Sequence, residues 1–234
     1  MNSGFDSFSL ALFTSLAPAG VVAFIVLACA RLGTRNHDAA VRIDRMIALP
    51  FSVALVGFIA SATHLGTPAN ALHVFSGIGR SPLSNEVLSA VAFLFLVGSY
   101  WMTAFKQRFP DAVARPWLAL SCVAGVVLIT ATSTAYSVHT VPTWDTPYSP
   151  ANLVLSALLA GPILGMLFLE IARARIFRLE IGLLAAACLA LIVGTVVLAM
   201  HDASLSLVAN NEIAATSLAP RCFSKRVGRE TSSA

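Results

Sequence analysis

The sequence predicts an all-α protein, a polytopic bundle of about six transmembrane helices with its N-terminus outside. Hydrophobic residues make up 57% of the 234 residues and charged residues only 11%, against roughly 25% charged residues in a soluble domain. The mean hydropathy is +0.82. The apolar residues fall into long runs, and the basic residues cluster in alternate links between these runs. This composition excludes a disordered chain, a nucleic-acid-binding domain and an ordinary cytosolic enzyme.

Each of the six apolar runs is close to the length of about 20 residues that a helix needs to cross a bilayer. The runs cover residues 10–30, 46–63, 84–105, 116–136, 151–169 and 179–200. Small residues within them, such as Gly20, Gly57 and Gly161, allow helices to approach closely, so we expect a packed bundle. Residues 1–202 are predicted to form one membrane domain, and residues 203–234 a polar, basic tail that is not a further span.

The basic residues predict the orientation. They lie mainly in the links after the first, third and fifth runs: Arg31, Arg35, Arg42, Arg45, Lys106, Arg108, Arg115, Arg173, Arg175 and Arg178. The two other links hold only Arg80, and the basic residues of the tail lie well beyond the last run. By the positive-inside rule the odd-numbered links are cytoplasmic, and the N-terminus and the links 65–83 and 137–150 face outward.

Aromatic residues mark both predicted membrane interfaces. Those at the inner ends of the runs are Tyr100, Trp101 and Trp117, and those at the outer ends are Tyr136, Trp144 and Tyr148. The outward link 137–150 also holds Asp145 and no Lys or Arg. Aromatic residues concentrate at binding hot spots, so Trp144, Asp145 and Tyr148 are candidates for docking a partner subunit. An interfacial anchor of aromatic side chains is the alternative interpretation.

The cysteines give no sign of a metal centre. They are Cys29, Cys122, Cys188 and Cys222, and no two of them form a CxxC pair. An iron–sulfur cluster or a structural zinc ion requires several thiolates close together. We therefore expect no iron–sulfur cluster in this chain, and interpret the cysteines as small apolar residues in packed helices.

One histidine and one carboxylate fall near the same outer depth of the membrane. His64 ends the second run, and Glu86 lies in the predicted first turn of the third, with Ser84 as its candidate cap. Such a pair, partly buried at an interface, can accept protons near neutral pH. The residues alone leave a second interpretation open, because an acidic residue in a first turn also favours the helix dipole.

Three segments resemble one family. They read LFTSLAPAG in the first run, HLGTPANALHVFSGIGRSPLSNEV from His64 to Val87, and STAYSVHTVPTWDTPYSPANL after the fourth run. Together they are similar to the membrane-anchor (C) subunit of bacterial anaerobic dimethyl sulfoxide reductase, over residues 10–165. The family's anchors are expected to have eight spans, whereas six are counted here, so the chain is identified as a shortened member.

The resemblance implies a function. Anchors of this family lie in the bacterial cytoplasmic membrane, bind menaquinol and carry no haem. They hold an iron–sulfur subunit with ferredoxin-like clusters and a molybdopterin catalytic subunit on the outer face, and pass electrons from menaquinol to them. The chain itself would not act on the terminal acceptor. The residues that match the family's quinol site are His64 and Glu86, with Arg80 as a weaker match.

Three alternatives stay open at this point. A haem-b cytochrome subunit would use histidines of the outer side, such as His64, His139 and His201, as axial ligands. A small-molecule transporter would carry ionisable residues at the middle of its spans, and none lies there. A purely structural anchor would have no quinol site.

Overall fold

The computed structural model describes residues 3–63, 74–106, 110–137 and 146–230. These residues form helices with no strand: α1 (Ser3–Gly33), α2 (His37–Met46), α3 (Ala48–Thr63), α4 (Pro82–Lys106), α5 (Asp111–Ala135), α6 (Tyr148–Ile171) and α7 (Phe177–Glu230). Six segments in them are long and apolar enough to cross a membrane: Phe8–Gly33, His37–Ala62, Pro82–Ala104, Asp111–Ala135, Tyr148–Ile171 and Phe177–Ser204. The predicted all-α bundle of six spans is confirmed.

The second span consists of two helices joined almost directly. The side chain of Asn36 caps α2 by accepting hydrogen bonds from the backbone N–H groups of Asp38 and Ala39, and a single residue, Ile47, separates α2 from α3. Apolar residues of α2 at helical spacing, Ala40 and Ile43, are buried. The basic link predicted after the first run is therefore an ordered, amphipathic helix.

The first helix, α1, is the centre of the bundle. It packs against α3 and α6, with further contacts to α5 and α2. Glycines bring these backbones together: a Cβ at Gly20 would lie 2.6 Å from the backbone nitrogen of Ala54 in α3, and one at Gly161 in α6 would lie 2.3 Å from Cβ of Val22. This confirms the close helix packing that these glycines predict.

The last helix lies at the periphery. α7 packs mainly on α6, and its span Phe177–Ser204 is the least buried of the six. Its helix continues without a break to Glu230, so the backbone of the predicted tail extends the last spanning helix. The exposed leucine, isoleucine and valine side chains of this span suit contact with lipid.

The links place chemically different groups at the two ends of the bundle. The basic end holds the C-terminus of α1, helix α2, the N-terminus of α5 and the C-terminus of α6, because Arg31 contacts Asp111 and Arg42 donates to the carbonyl oxygen of Ala172. The opposite end holds the N-terminus of α4 and the part of α7 around His201, since these helices cross the bundle in opposite directions. Glu86 therefore lies at the end away from most basic residues.

Candidate functional site

A cavity of about 350 Å³ opens at the end opposite the basic links. Helices α1, α3 and α4 and the turn before α4 form its walls. Its described lining is apolar except for Ser61 and Glu86, and consists of Phe13, Phe58, Ser61, Ala62, Val74, Leu83, Glu86, Val87, Ala90, Val91 and Leu94. Leu83 and Val91 are half exposed on the outside of the bundle. The cavity is therefore positioned to admit an apolar molecule from the bilayer.

Among the described residues that line this cavity, Glu86 is the one with an ionisable side chain. Its side chain is 5% exposed. The hydroxyl of Thr132, on α5, donates a hydrogen bond to its carboxyl group, and its Oε1 atom has no hydrogen-bond partner among the described residues. A buried carboxyl group with an unpaired oxygen costs stability, and ionisable groups inside membrane proteins mark sites of function. The carboxyl group is thus suited to bind or deprotonate a ligand hydroxyl.

The structure corrects the predicted start of the helix that carries Glu86. α4 begins at Pro82 rather than at Ser84, and proline is well suited to a first helical position. Ser84 is buried inside the helix, so it is not the cap, and Glu86 lies beyond the first turn, which holds no acidic residue. The helix-dipole interpretation of Glu86 therefore loses its basis.

The turn before α4 is tightly built. Gly79 has a φ of +80°, a conformation that favours glycine, and its N–H donates to the side chain of Asn85. The backbone N–H of Arg80 donates to the carbonyl oxygen of Gly77. The side chain of Arg80 is exposed, and Arg80 is not among the residues that line the Glu86 cavity.

Three of the predicted site residues lie outside the described part of the chain: His64, Trp144 and Asp145. In the sequence His64 follows α3 directly, two residues after Ala62, which lines the cavity. Tyr148, the first residue of α6, is described, and its ring stacks on that of His201 with the centroids 5.9 Å apart. The described ring contact of Tyr148 is therefore with α7, a helix that is remote in sequence from Trp144 and Asp145.

Aromatic rings close the cavity on the side of α1. Phe13 contacts both Phe58 and Tyr136, with ring centroids 5.5 Å and 6.4 Å apart. Burial raises the pKa of the Tyr136 hydroxyl, and the nearby charge of Glu86 raises it further. Tyr136 therefore stays protonated near neutral pH, and it lies next to Phe13, which lines the cavity of Glu86.

At the basic end the structure contains a polar network that the sequence interpretation missed. Arg31 is 3% exposed, its Nε lies 3.0 Å from Oδ2 of Asp44, and its Nη2 lies 2.7 Å from Oδ1 of Asp111. The hydroxyl of Tyr100 donates to Oδ1 of Asp44 at 2.8 Å. The sequence predicts Tyr100 as an interfacial anchor, but it is fully buried. In the sequence, Asp44 follows Ala40 and Ile43 at helical spacing and so lies on the apolar face of α2. This position is the signal that could have predicted the burial of Asp44.

The described residues hold no group of three or more His, Cys, Asp or Glu side chains that could bind a metal ion. Cys29, Cys122 and Cys188 are free thiols.

Comparison with known proteins adds the family. The family model of the DMSO reductase anchor subunit (DmsC) matches residues 1–226. The chain is 32% identical to the anaerobic dimethyl sulfoxide reductase subunit YnfH of Escherichia coli (strain K12), over 98% of this chain and 80% of that protein. It is 34% identical to the C subunit of anaerobic dimethyl sulfoxide reductase of the same organism, over 94% of this chain and 77% of that protein.

A more distant relative is the C subunit of anaerobic dimethyl sulfoxide reductase of Haemophilus influenzae, 27% identical over 77% of this chain and 64% of that protein. No solved structure matches the chain. The fold and the cavity define a multi-pass membrane protein with a buried carboxyl group at one end. The chain belongs to the DMSO reductase anchor subunit family.

Proposed function

We propose that this chain anchors a molybdopterin oxidoreductase complex of the dimethyl sulfoxide reductase type in the membrane and oxidises menaquinol in the Glu86 cavity. The observation that carries the proposal is the buried Glu86 carboxyl group, with Oε1 unpaired among the described residues, in a cavity whose other described walls are almost wholly apolar. A quinol needs these two features together, because it has hydroxyl groups to deprotonate on a ring that arrives from lipid.

The proposed step balances protons and electrons. Oxidation of one quinol to the quinone releases two protons and two electrons. His64 hydrogen-bonds one quinol hydroxyl and takes its proton, and Glu86 takes the proton of the second hydroxyl and passes it outward. The two electrons leave to an iron–sulfur subunit, which transfers them to the molybdopterin subunit. Arg80, which is exposed, belongs to this site by family resemblance alone.

Filling the cavity tests this proposal. Ala90 lines the cavity and is buried, whereas Ala92, two residues further along α4, is exposed. In the assembled complex, Ala90→Phe is expected to lower quinol-dependent turnover by about tenfold or more, since inserted atoms exclude the ring and cost about 1–3 kcal/mol. Turnover with an artificial electron donor stays normal. Ala92→Phe is the control and keeps both rates. Equal quinol turnover in the two variants would contradict a quinol site in this cavity.

The sidedness of the site is part of the proposal. An outward position of Glu86 follows from the positive-inside rule applied to the basic end. Reporter fusions at Arg35 and Lys106 should therefore behave as cytoplasmic, and a fusion at Trp144 as exported. The reverse pattern would place the quinol site on the cytoplasmic side and exclude an outward-facing partner.

The partner is proposed to dock on the outward link 137–150. Trp144, Asp145 and Tyr148 are the residues proposed for contact, and the ring of Tyr148 also stacks on that of His201 within the chain. Trp144→Ala is expected to release the iron–sulfur subunit from membranes, with a loss of about 2 kcal/mol or more, as for an aromatic hot spot. Co-purification and membrane flotation measure this loss. Tyr148→Phe, which keeps the ring, serves as the control, and a partner retained at unchanged affinity by Trp144→Ala would move the docking surface elsewhere.

A further inference from the structure

A second cavity lies at the same end of the bundle, between α1, α5, α6 and α7. It measures about 370 Å³. Its described lining is mainly polar and consists of Thr14, Ser15, Tyr136, Ser149, Asn152, Leu153, Ser156 and His201. Since Tyr136 contacts Phe13 of the Glu86 cavity, a wall of aromatic rings separates the two cavities.

His201 gives this second cavity a hydrogen-bond donor of defined position. The amide nitrogen of Asn152 lies 3.3 Å from its Nδ1, and Tyr148 stacks on its ring. With Asn152 donating to Nδ1, the proton of the neutral imidazole lies on Nε2. The Nε2 atom is buried and has no partner among the described residues. Because buried donors are normally paired, Nε2 is left, among the described residues, as a donor for an acceptor atom of a bound molecule.

An apolar groove continues from this cavity along the spans. It measures about 300 Å³ between α6 and α7, and shares Asn152 and Ser156 with the polar cavity. Its other described walls are mainly leucine, alanine and glycine, and Gly194 leaves a gap in which a Cβ would come no closer than 3.7 Å to Leu155. The polar cavity and the groove together match a molecule with a polar head and a long hydrocarbon tail.

We propose that the cavity of His201 and the α6–α7 groove form a second quinone site, distinct from the Glu86 cavity. No Lys, Arg, Asp or Glu lies in the described lining of either part, which suits an uncharged head better than a phospholipid phosphate. The carbonyl oxygen of a quinone accepts from Nε2 of His201, and its isoprenoid tail lies in the groove. The inference rests on the proposed function in taking a quinone as the lipid-soluble substrate.

Photolabelling of the whole complex tests the second site. The probe is an azido-naphthoquinone that carries an isoprenoid chain, and labelled peptides are identified by mass spectrometry. In the unmodified complex, peptides of both α4 and α6–α7 are expected to be labelled. Gly194→Phe should reduce the α6–α7 label by about tenfold, as a filled groove excludes the tail, and leave the α4 label unchanged. Gly182→Phe, on the same helix where nothing lies within 4 Å, is the control and keeps both labels.

A second variant guards against a folding defect of Gly194→Phe. His201→Leu removes the donor without adding volume to the groove, and the same loss of α6–α7 label is expected. An unchanged α6–α7 label in both variants overturns the inference. The inference is also overturned if Gly194→Phe loses a co-purifying phospholipid while the α6–α7 quinone label stays the same. Ala90→Phe separates this result from the proposed function, because it should remove the α4 label alone.

Discussion

His64→Ala is expected to abolish quinol-dependent turnover of the assembled complex and to leave turnover with an artificial donor intact. A positioned general base contributes about 10²–10⁴-fold to a rate, and deprotonation of the quinol precedes electron transfer in the proposed step. The artificial donor delivers electrons without using the quinol site, so its rate reports assembly of the complex. The measurement is steady-state turnover with both donors on the same preparation.

Glu86→Gln separates the two proton acceptors of the proposed site. The amide keeps the volume of the side chain, and its oxygen still accepts from the Thr132 hydroxyl, but it does not take up a proton. A smaller loss than for His64→Ala is expected, about tenfold, together with a changed pH dependence of quinol turnover. Glu180→Gln at the basic end, where Glu180 pairs with Arg175, is the control.

Normal quinol turnover in an assembled His64→Ala complex would show that the proposed mechanism is wrong.

The spans are predictable from the sequence because the bilayer selects directly for composition. A run such as 151–169 needs only length and apolar content to be recognised, and the observed span is Tyr148–Ile171. The glycines of close packing are predictable for the same reason, since in lipid small residues are what allows helices to touch. The end of the bundle at which Glu86 lies follows from counting the links between spans.

The surroundings of the site are not predictable from spacing. Thr132 reaches Glu86 from a different helix, and Asn152 meets His201 49 residues further along the chain. Both contacts depend on which helices become neighbours and how each is rotated, and the hydrophobic pattern of a spanning helix carries little of that information, because both its lipid-facing and its buried faces are apolar.

The same limit explains why the sequence predicts neither the burial of Arg31 nor that of Tyr100. The positive-inside rule counts Arg31 as one of the charges that set orientation, whatever the burial of its side chain, and an aromatic residue near a span end is usually an interfacial anchor. In the structure both are buried around Asp44. The carboxylate of Asp44 thereby joins α1, α2 and α4, and Asp111 connects the same arginine to α5.

Asp44→Ala is therefore expected to destabilise the anchor by about 3–5 kcal/mol, because it leaves the buried guanidinium of Arg31 without its buried partner. Asp111 does not compensate for this loss, since its side chain is 59% exposed and solvent screens its charge. Thermal unfolding of the purified chain in detergent measures the effect.

The control is Asp38→Ala on the same helix, where the exposed carboxylate contributes about 0.3–1 kcal/mol through the helix dipole. The double variant Arg31→Met/Asp44→Leu should recover much of the loss, because it removes both charges and fills their volume. If Asp44→Ala unfolded at the same temperature as Asp38→Ala, the network would not be what holds α2 against the spans.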